Sequence, residues 1–581
     1  MPHANDGAEA LPPIAALFLV VFDQKIGYKV SWQRSLPDIQ LEGLVEYKSL
    51  PSGLHNVKQD LIYFTQDEYA GLSAFVSKAA GEADRNARFA AVGVYVPLSY
   101  GRLGRAWMHA QGLRELADSY VDKQDDRDAL EKYWDTHRLA TKTDEIRTAA
   151  LEEPSSPIAV KPPVNKRASR ALSEAAGFSV REHVLSPDHP ALSMPGFLDA
   201  FGPLVFPLYR AALLKKRILF LGSAPIQRTC NFVYNLSIFS NIPVSIADTL
   251  PIDSASYRIK PLFNVGIHDI AELETKTKEG WVACTTDDIL GTKRNLYDVL
   301  IEVPTNANEW PKIVTSDGKK VLATQRDLRR YNALNKELSR MDRLRAQQEQ
   351  YRDEEAVESD NDDDVQPLMQ SISSIVPEQQ PGAPSIENES SITEPSSWAS
   401  IAYSSFLWWA SAGERSTAQE EETEQDASLL EDLVNTTTIP TSPLTPTNAT
   451  KHRRSSSIKR RKRSTTSLSR LVTGEDSDEE RDPPSLEETQ QKSMVLIAYF
   501  HRSTTLLVSG LDDIVNGDDN DEQEHHDDEV IQLTAEDVSR LGLDIWSAAD
   551  AQFIGDIGWA WWSKDIQWSG RNVELCGVRI C

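Results

Sequence analysis

Cysteine is scarce in this 581-residue sequence, and its scarcity excludes two kinds of small structural scaffold. The four cysteines are too thinly spread for a zinc-binding motif or for a framework of disulfide bonds. Their positions are Cys230, Cys284, Cys576 and Cys581. Free thiols suit a reducing compartment, so we expect a cytoplasmic protein.

Positive charge is also in deficit. The chain carries 61 Lys and Arg against 88 Asp and Glu, a net charge of −27. A molecule with this balance repels nucleic acid and anionic membranes unless a local patch overrides the average. We therefore expect no nucleic-acid partner, and the composition disfavours a nucleic-acid enzyme.

Long hydrophobic runs and targeting signals are missing as well. The apolar run at residues 14–22 is shorter than the roughly 20 residues that a membrane-spanning helix needs. It follows Asp6 and Glu9 instead of the basic residues of a secretory leader. We interpret the run as a buried strand. The final residues, "CGVRIC", have no cysteine four from the end, so the usual prenylation signal is not expected.

Residues 213–239 have the outline of a phosphate-binding unit. Lys215 and Lys216 precede an apolar run, a turn at Gly222 and a segment compatible with a helix. A P-loop, however, requires G-x-x-x-x-G-K-[ST], and a dinucleotide fold requires three glycines where this turn has one. We therefore predict a structural strand–turn–helix unit and no bound cofactor.

Other catalytic patterns are not found in the sequence either. There is no G-x-S-x-G elbow, no H-E-x-x-H and no kinase-like set of residues. The run "EHHDDE" at residues 524–529 could hold a metal weakly through His525 and His526, but a solvated run of charge is the better interpretation. We assign no catalytic, cofactor-binding or metal-binding residue.

The distribution of apolar and polar segments predicts an α/β protein with two lobes, a long insertion and a C-terminal segment. The predicted parts are a disordered 1–13, a first lobe at 14–140, a linker at 141–190, a second lobe at 191–351, an insertion at 352–484 and a C-terminal segment at 485–581. In the first lobe, strand-like runs precede a helical pattern at residues 100–121. In the second lobe, strands alternate with helices, and apolar residues from Leu328 to Leu344 form one face of a long amphipathic helix.

The insertion is expected to be mainly disordered. Its tracts at about 352–395 and 412–484 are acidic, rich in Ser, Thr and Pro, and poor in large apolar residues. They bury too little surface to offset an ordering entropy of about 1–2 kcal/mol per residue. Between them, an aromatic island at 397–413 either packs back on the folded body or is an amphipathic docking segment.

A basic tract at 451–470 is the most distinct short motif in the insertion. Its two clusters consist of Lys451, Arg453 and Arg454, and of Lys459, Arg460, Arg461, Lys462 and Arg463. The tract could be a nuclear import signal, a contact for anionic lipid, or a kinase-recognised segment with Ser456 as a candidate phosphorylation site. It could equally be a basic block that offsets the flanking acids.

The C-terminal segment is predicted to be mostly helical and is rich in tryptophan. Ser485, Thr534 and Ser547 stand where they can cap helices. Five tryptophans crowd this end, and such a density is typical of a core or a contact surface. They are Trp546, Trp559, Trp561, Trp562 and Trp568.

Several segments, in the expected order, resemble the LCHN subfamily of DENN-domain proteins. They are "LEGLVEYKSLPSGLHNVKQDLIYF" (41–64), "AVGVYVPLSYGRLGRAWMHAQGLRELA" (91–117), "LLKKRILFLG" (213–222), "PLFNVGIHDI" (261–270) and "VACTTDDILGTKRNLYDVLIEVP" (282–304). The insertion and the Trp-rich end resemble fungal members of this subfamily. After residue 350 the chain departs from the general family pattern, because the helical third module is hard to trace.

The resemblance implies a longin-like N-terminal lobe and a central α/β DENN lobe. It also implies a role with Rab-type small GTPases in vesicle traffic, typically as a guanine nucleotide exchange factor. Such a factor performs no covalent chemistry: it binds the switch regions of the GTPase and favours the nucleotide-free state. The alternative is a noncatalytic adaptor that docks GTPases or trafficking partners through the lobes and the disordered arms. Either protein would be cytoplasmic and associate peripherally with endomembranes through its partner.

Overall fold

The computed structural model describes most of the two predicted lobes and parts of the remaining chain. The described residues are 11–23, 25–51, 57–79, 87–123, 127–140, 185–247, 250, 257–306, 308–358, 391–397, 400–401, 417–430, 484–516, 530–568, 574–575 and 578–579. The basic tract at 451–470, most of the aromatic island and the run at 524–529 lie outside them.

Strands β1–β10 form one mixed sheet that runs through both lobes. Their bounds are Ala16–Asp23 (β1), Gly27–Ser35 (β2), Gln59–Gln66 (β3), Tyr69–Ala79 (β4), Ala87–Pro97 (β5), Ile218–Leu221 (β6), Lys260–Asn264 (β7), Trp281–Thr285 (β8), Val299–Glu302 (β9) and Lys312–Thr315 (β10). Their spatial order is β10-β9-β6-β8-β7-β3-β4-β5-β1-β2. The α/β class is therefore confirmed, and the two lobes, which the sequence presents as separate units, share a sheet.

Antiparallel pairing organises the first lobe. Strand β1, which is the apolar run predicted to be a buried strand, pairs with β2 and β5, while β4 pairs with β3 and β5. Two phenylalanine rings lie over glycines of the neighbouring strand, Phe18 over Gly93 and Phe64 over Gly71. A Cβ at either glycine would overlap the ring, so a larger residue would displace an aromatic side chain of the core.

Parallel pairing organises the second lobe. Strands β7, β8, β6 and β9 are parallel in that order, and β10 runs antiparallel to β9. Strand β8 is buried over its whole length, as expected where helices cover both faces of a parallel sheet. The run "KRILFLG" contains β6, a central strand, which agrees with its continuous apolar centre.

Helices and short elements connect and cover the sheet. The helices are Val45–Lys48 (α1), Ala110–Asp122 (α2), Asp128–His137 (α3), Met194–Phe201 (α4), Val205–Leu213 (α5), Gln227–Phe239 (α6), Val244–Ala247 (α7), Ile270–Thr275 (α8), Asp288–Thr292 (α9), Gln325–Glu358 (α10), Thr417–Ser428 (α11), Leu486–Asn516 (α12), Ala535–Arg540 (α13) and Ala548–Trp562 (α14). Short 3-10 helices occur at Leu98–Tyr100, Arg102–His109, Pro190–Ser193, Gly202–Leu204 and Ile267–Asp269. Two-residue strands occur at Ile531–Gln532 (β11), Ile566–Gln567 (β12), Glu574–Leu575 (β13) and Val578–Arg579 (β14).

The helical pattern predicted at residues 100–121 is correct only from Ala110 onward. Residues 103–105 have φ angles of 52, 56 and 58°, which make a left-handed turn, and Gly101 before them has a φ of 114°. Apolar spacing alone predicts a helix through this stretch. The prediction is wrong there because Gly101 and Gly104 permit a backbone that other residues rarely adopt.

Helices α12 and α14 complete the core of the second lobe. The ring of Phe500 on α12 stacks on Phe239 of α6, with centroids 4.4 Å apart. On α14, Trp561 is buried, and its indole N–H donates to the carbonyl of Leu213 at 3.3 Å. Described residues of the predicted C-terminal segment therefore belong to the same folded body as the second lobe.

The predicted caps of these helices are confirmed. The hydroxyl of Thr534 accepts the N–H of Asp537 at 3.2 Å, and the hydroxyl of Ser547 accepts the N–H of Asp550 at 3.3 Å. Ser485 accepts the N–H three residues ahead of it in the same way, at 3.2 Å. Cap residues are recognisable in sequence because their partners are only three positions away.

Helix α11 contradicts the prediction of disorder over 412–484. Its Asp426 lies 3.0 Å from Arg326 and 2.7 Å from Arg330, two buried arginines of α10. Burial opposes ionisation, but Arg330 and Arg326 hold the pKa of Asp426 below its ordinary value. Composition predicts disorder because it records the acidic residues and not the arginines that neutralise them. Most of the remaining insertion lies outside the described residues.

Within the described residues, two stretches are long and apolar enough to cross a membrane. They are Pro190–Leu213 and Leu486–Asn516, and 61% and 50% of their most apolar windows are buried in the fold. Core helices of soluble proteins meet the same criteria.

Candidate functional site: a cleft between the two lobes

The strand–turn–helix unit at residues 213–239 has an internal carboxylate at the position where a phosphate would bind. Asp60 of β3 accepts the N–H groups of Ile226 and Gln227, at 2.8 and 3.1 Å, at the first turn of α6. The N-terminus of a helix favours an anion because its first N–H groups have no partner within the helix. Burial raises the pKa of Asp60 to about 6, against the effect of these hydrogen bonds.

The two lysines of that unit do not point to a phosphate site either. Lys215 and Lys216 precede β6, so they lie at the opposite end of the strand from the turn at Gly222. The ammonium group of Lys216 lies 3.3 Å from the carboxylate of Asp556 on α14. The geometry agrees with the interpretation of this unit as structural.

Within the described residues, strand pairing joins the two lobes at one residue pair, and buried polar contacts lie beside it. Phe64 of β3 pairs with Phe263 of β7, where β7 is also irregular, and Phe263 has a positive φ of 61°. Beside this point, Lys48 and Asp269 form an ion pair of 2.7 Å, with side chains only 9% and 7% exposed. The carbonyl of Lys48 also accepts the side-chain N–H of Asn264 at 3.1 Å. Irregular strands and strained backbone are typical of the neighbourhood of functional sites.

A cleft opens where the lobes meet, and it contains a cavity of about 1090 Å³. One wall comes from the first lobe, at the β3–β4 turn and at residues 98–108. The other comes from residues 258–276 of the second lobe. The cavity is large enough for a sizeable ligand or for side chains inserted by a protein partner.

The left-handed turn at residues 103–105 positions basic side chains at this cleft. Leu103 is buried beneath the turn, while Arg102 and Arg105 line the cavity. The guanidinium of Arg102 donates to the hydroxyl of Ser237 on α6 at 2.6 Å, which connects the turn to the second lobe. The unusual backbone thus places two arginines on the wall that faces the second lobe.

Basic residues outnumber acidic ones in the cleft, in contrast to the whole chain. Among the described lining residues, six are basic and three are acidic. The basic ones are Lys48, Arg102, Arg105, Arg258, Lys260 and Lys276, and the acidic ones are Asp67, Asp269 and Glu272. Two acids, Asp269 and Glu272, are paired with lysines of the same set. This excess of basic over acidic side chains in the described lining favours a partner whose contacting surface is acidic.

Exposed aliphatic and aromatic side chains form a rim patch beside the cleft, which we define as Tyr47, Ile267 and His268. The rings of Tyr47 and His268 are in contact, with centroids 3.7 Å apart and planes tilted by 31°. Tyr47 and Ile267 are about half exposed, at 49% and 47%. The rim patch lies at the carboxyl end of β7, and in α/β sheets that edge is the usual place for binding.

A buried histidine at the cleft end of the first lobe makes stability depend on pH. Nε2 of His109 lies 2.8 Å from the carbonyl of Pro12, so it carries the proton, and Nδ1 accepts the hydroxyl of Tyr133 at 2.7 Å. Burial, aided by His137, lowers the pKa of His109 to about 4 against the hydrogen bond to Pro12. The folded state therefore favours neutral His109. The free energy of unfolding that depends on this neutral form is fully present above about pH 6.5 and is lost as the pH falls toward 4.

Between pH 7 and pH 5, we expect the free energy of unfolding of the wild-type chain to fall by about 2 kcal/mol more than that of His109→Gln. Glutamine keeps a donor and an acceptor but does not titrate. Denaturant unfolding of both proteins at several pH values measures the difference. Parallel pH profiles for the two proteins would contradict a buried neutral His109.

Sequence reasoning did not find any residue of this cleft. The predicted basic clusters, Ser456 and the two histidines at 525 and 526 all lie outside the described residues, so those predictions stay untested. Among the described residues, no group of three or more His, Cys, Asp or Glu could hold a metal ion. Asp60, which does not line the cavity, is visible in sequence as an acid inside the apolar strand run "DLIYF", but its partners at the start of α6 are 166 and 167 positions away.

Two family models match the chain. The model described as DENN domain-containing protein 11 matches residues 17–312, which include both walls of the cleft and nearly the whole sheet. A second model, a domain of unknown function (DUF4484), matches residues 393–530 and 520–581. The second match covers α11, α12, α13 and α14.

Curated relatives support the first match. DENN domain-containing protein 11 of Xenopus laevis is 33% identical over 291 residues, 50% of this chain and 59% of the relative. The Danio rerio protein of the same name is 32% identical over 301 residues, 51% of this chain and 55% of the relative. An uncharacterized protein of Schizosaccharomyces pombe is 28% identical over 341 residues, 56% of this chain and 72% of the relative. The chain thus spans less than two thirds of the length of the vertebrate relatives.

Proposed function

This chain belongs to the DENN domain-containing protein 11 family, and from that premise we propose that its two lobes bind a Rab-type small GTPase and promote release of its guanine nucleotide. The observation that carries the proposal is the cleft between the lobes. It combines a basic lining, a cavity and an exposed rim patch within the residues that the family model matches.

The proposed mechanism is differential binding. An exchange factor must bind the nucleotide-free GTPase more tightly than the nucleotide-bound form. A protein that binds both forms equally does not shift the equilibrium between them. A basic cleft can contact acidic side chains of the GTPase, and the rim patch can contact an apolar residue of a switch region. Such a mechanism needs no covalent step.

The finer features of the resemblance belong to the same proposal. The order β2-β1-β5-β4-β3 with two following helices supports a longin-like first lobe. Relatives in yeast and in vertebrates support a broadly shared subfamily, for which we propose LCHN. We also propose a cytoplasmic location with peripheral association to endomembranes.

The test is nucleotide release from a panel of Rab proteins loaded with fluorescent GDP. We expect the wild-type chain to accelerate release from at least one Rab, with an effect that weakens as salt increases. Ile267→Asp should slow this release by about tenfold or more, since it places a charge in the rim patch. Val530→Asp, which alters an exposed apolar residue outside the cleft, is the matched control. Unchanged release across a complete panel would rule out exchange activity.

A second candidate function is a noncatalytic adaptor. Trp559 on α14 is 68% exposed, and an exposed tryptophan suits a docking contact outside the cleft. An adaptor should retain GTP-loaded Rab better than the nucleotide-free form, whereas an exchange factor should show the opposite order. Pull-downs with both forms separate the two candidates.

A further inference from the structure

The hairpin between β1 and β2 has an apolar tip at the far end of the first lobe from the cleft. Ile26, at the turn, is 74% exposed. Phe22 and Tyr28 flank it on the two strands and are directly paired, with ring centroids 5.5 Å apart. Both rings also contact Phe89 of β5, at 6.1 Å each. We name Phe22, Ile26, Tyr28 and Phe89 the tip patch.

The turn holds Ile26 in an ordered position. One carboxylate oxygen of Asp23 accepts the N–H of Lys25 at 2.9 Å and that of Ile26 at 3.3 Å, and the other oxygen lies 2.6 Å from the ammonium of Lys29. The hydrogen bond from Lys29, with those from the backbone, lowers the pKa of Asp23 to about 2. Gly27 completes the turn with a φ of 90°. These hydrogen bonds tie the backbone of Lys25 and Ile26 to the end of β1.

Basic residues stand next to members of this apolar patch in the chain. Lys25 and Lys29 lie on either side of Ile26, and Arg88 is exposed beside Phe89. Asp23 is the acid of the turn, and it is already bonded to Lys29. Further along β4, Lys78 is balanced by two aspartates of α2. Among the described residues of the tip, basic side chains therefore outnumber acidic ones, on a chain whose net charge is −27.

An apolar apex with aromatic rings and flanking lysines has the chemistry of a contact with an anionic lipid surface. Aromatic rings favour the interface between headgroups and hydrocarbon, and lysines near it are attracted to anionic headgroups. We propose that the tip patch inserts into anionic membranes, with Ile26 at the acyl boundary. Strand β1 is eight residues long, which separates the tip from the cleft by roughly 25 Å. Membrane contact at the tip leaves the cleft accessible.

Flotation of the full-length chain with vesicles tests this inference. Vesicles of phosphatidylcholine are compared with vesicles that also contain phosphatidylserine. We expect the wild-type chain to float with the anionic vesicles, Ile26→Asp to reduce the bound fraction about tenfold, and Ile26→Trp to increase it. Lys25→Glu should reduce binding to the anionic vesicles. Ile289→Asp, an exposed isoleucine of the second lobe, is the matched control and should float like the wild type.

The basic tract at 451–470 must be separated from the tip, since it could bind the same vesicles. All variants are therefore also prepared with the basic residues of both clusters replaced by serine, namely Lys451, Arg453, Arg454, Lys459, Arg460, Arg461, Lys462 and Arg463. An effect of Ile26→Asp in this background supports the tip. Wild-type-like flotation of Ile26→Asp, flotation lost only through the serine replacements, or no flotation of the wild type would each overturn the inference. Unfolding midpoints should not change, because Ile26 is exposed.

Discussion

Replacing Arg210 with methionine is expected to lower the free energy of unfolding by about 3–5 kcal/mol. Arg210 of α5 donates to both carboxylate oxygens of Asp327 on α10, at 2.8 and 2.6 Å. Its Nε lies 3.3 Å from Asp550 of α14. All three side chains are buried. Methionine fills much of the volume but leaves two carboxylates without their common cation, and an uncompensated buried charge is costly.

The loss caused by Arg210→Met should shrink at lower pH. Burial raises the pKa of Asp550 to about 7, and the charge of Arg210 opposes this rise. Without the arginine, the pKa must rise further. A carboxyl group whose pKa is raised in the folded state adds stability as the pH falls from that pKa toward its unfolded value. The difference between the variant and the wild type should therefore be larger at pH 7.5 than at pH 5.

Denaturant unfolding of the full-length chain at both pH values measures this effect. Lys319→Met, which removes an exposed partner of Asp317, is the matched control and should change stability by less than about 0.5 kcal/mol. A variant in which Arg210, Asp327 and Asp550 all become apolar should recover much of the loss, because no buried charge remains. A loss below about 1 kcal/mol for Arg210→Met alone would contradict the role of the arginine in joining α5, α10 and α14.

Replacing Asp60 with alanine is expected to lower the free energy of unfolding by about 2–4 kcal/mol and to weaken the contact between the lobes. The carboxylate accepts N–H groups of Leu61, Ile226 and Gln227, so alanine leaves buried donors at the start of α6 without their acceptor. Asp60→Asn keeps one acceptor oxygen, so its free energy of unfolding should fall by less than that of Asp60→Ala. The two donors on α6 belong to the second lobe, while Asp60 belongs to the first, so the lobes should become less strongly coupled.

Unfolding and limited proteolysis measure these two consequences of Asp60→Ala. We expect a lower unfolding midpoint and faster cleavage at the chain between the lobes. Asp118→Ala, at an exposed ion pair with Lys78, is the control and should behave like the wild type. Because burial raises the pKa of Asp60 to about 6, the wild type should gain stability relative to Asp60→Asn as the pH falls from about 6 toward 4. A single unchanged transition for Asp60→Ala would show that other contacts hold the lobes together.

The secondary structure was largely predictable from the sequence, because its signals are local. The continuous apolar run before Gly222 predicted β6, and the polar residues Thr534 and Ser547 predicted the starts of α13 and α14. The errors have two causes: glycines that permit a left-handed backbone, and distant partners that composition does not record. Residues 100–109 have helical spacing but form a left-handed turn and a 3-10 helix, and α11 has a disordered composition but two buried arginines beneath it.

The candidate site was not predictable, for the same reason. Lys48 and Asp269 are ordinary charged residues in sequence, and they become a buried pair only because β3 and β7 meet. Arg102 faces the second lobe because the backbone after β5 is left-handed. In neither arrangement do the contacting residues have a fixed separation in sequence, so no sequence motif predicts them.

The sequence by itself determined the α/β class, the local elements and the incomplete phosphate-binding motif, because each depends on residues within a few positions of one another. The tertiary structure decided that the two lobes share one sheet, that Asp60 occupies the start of α6, and that the cleft is basic on an acidic chain. These features depend on contacts between residues far apart in sequence, and the burial of their charges exists only once the chain has folded.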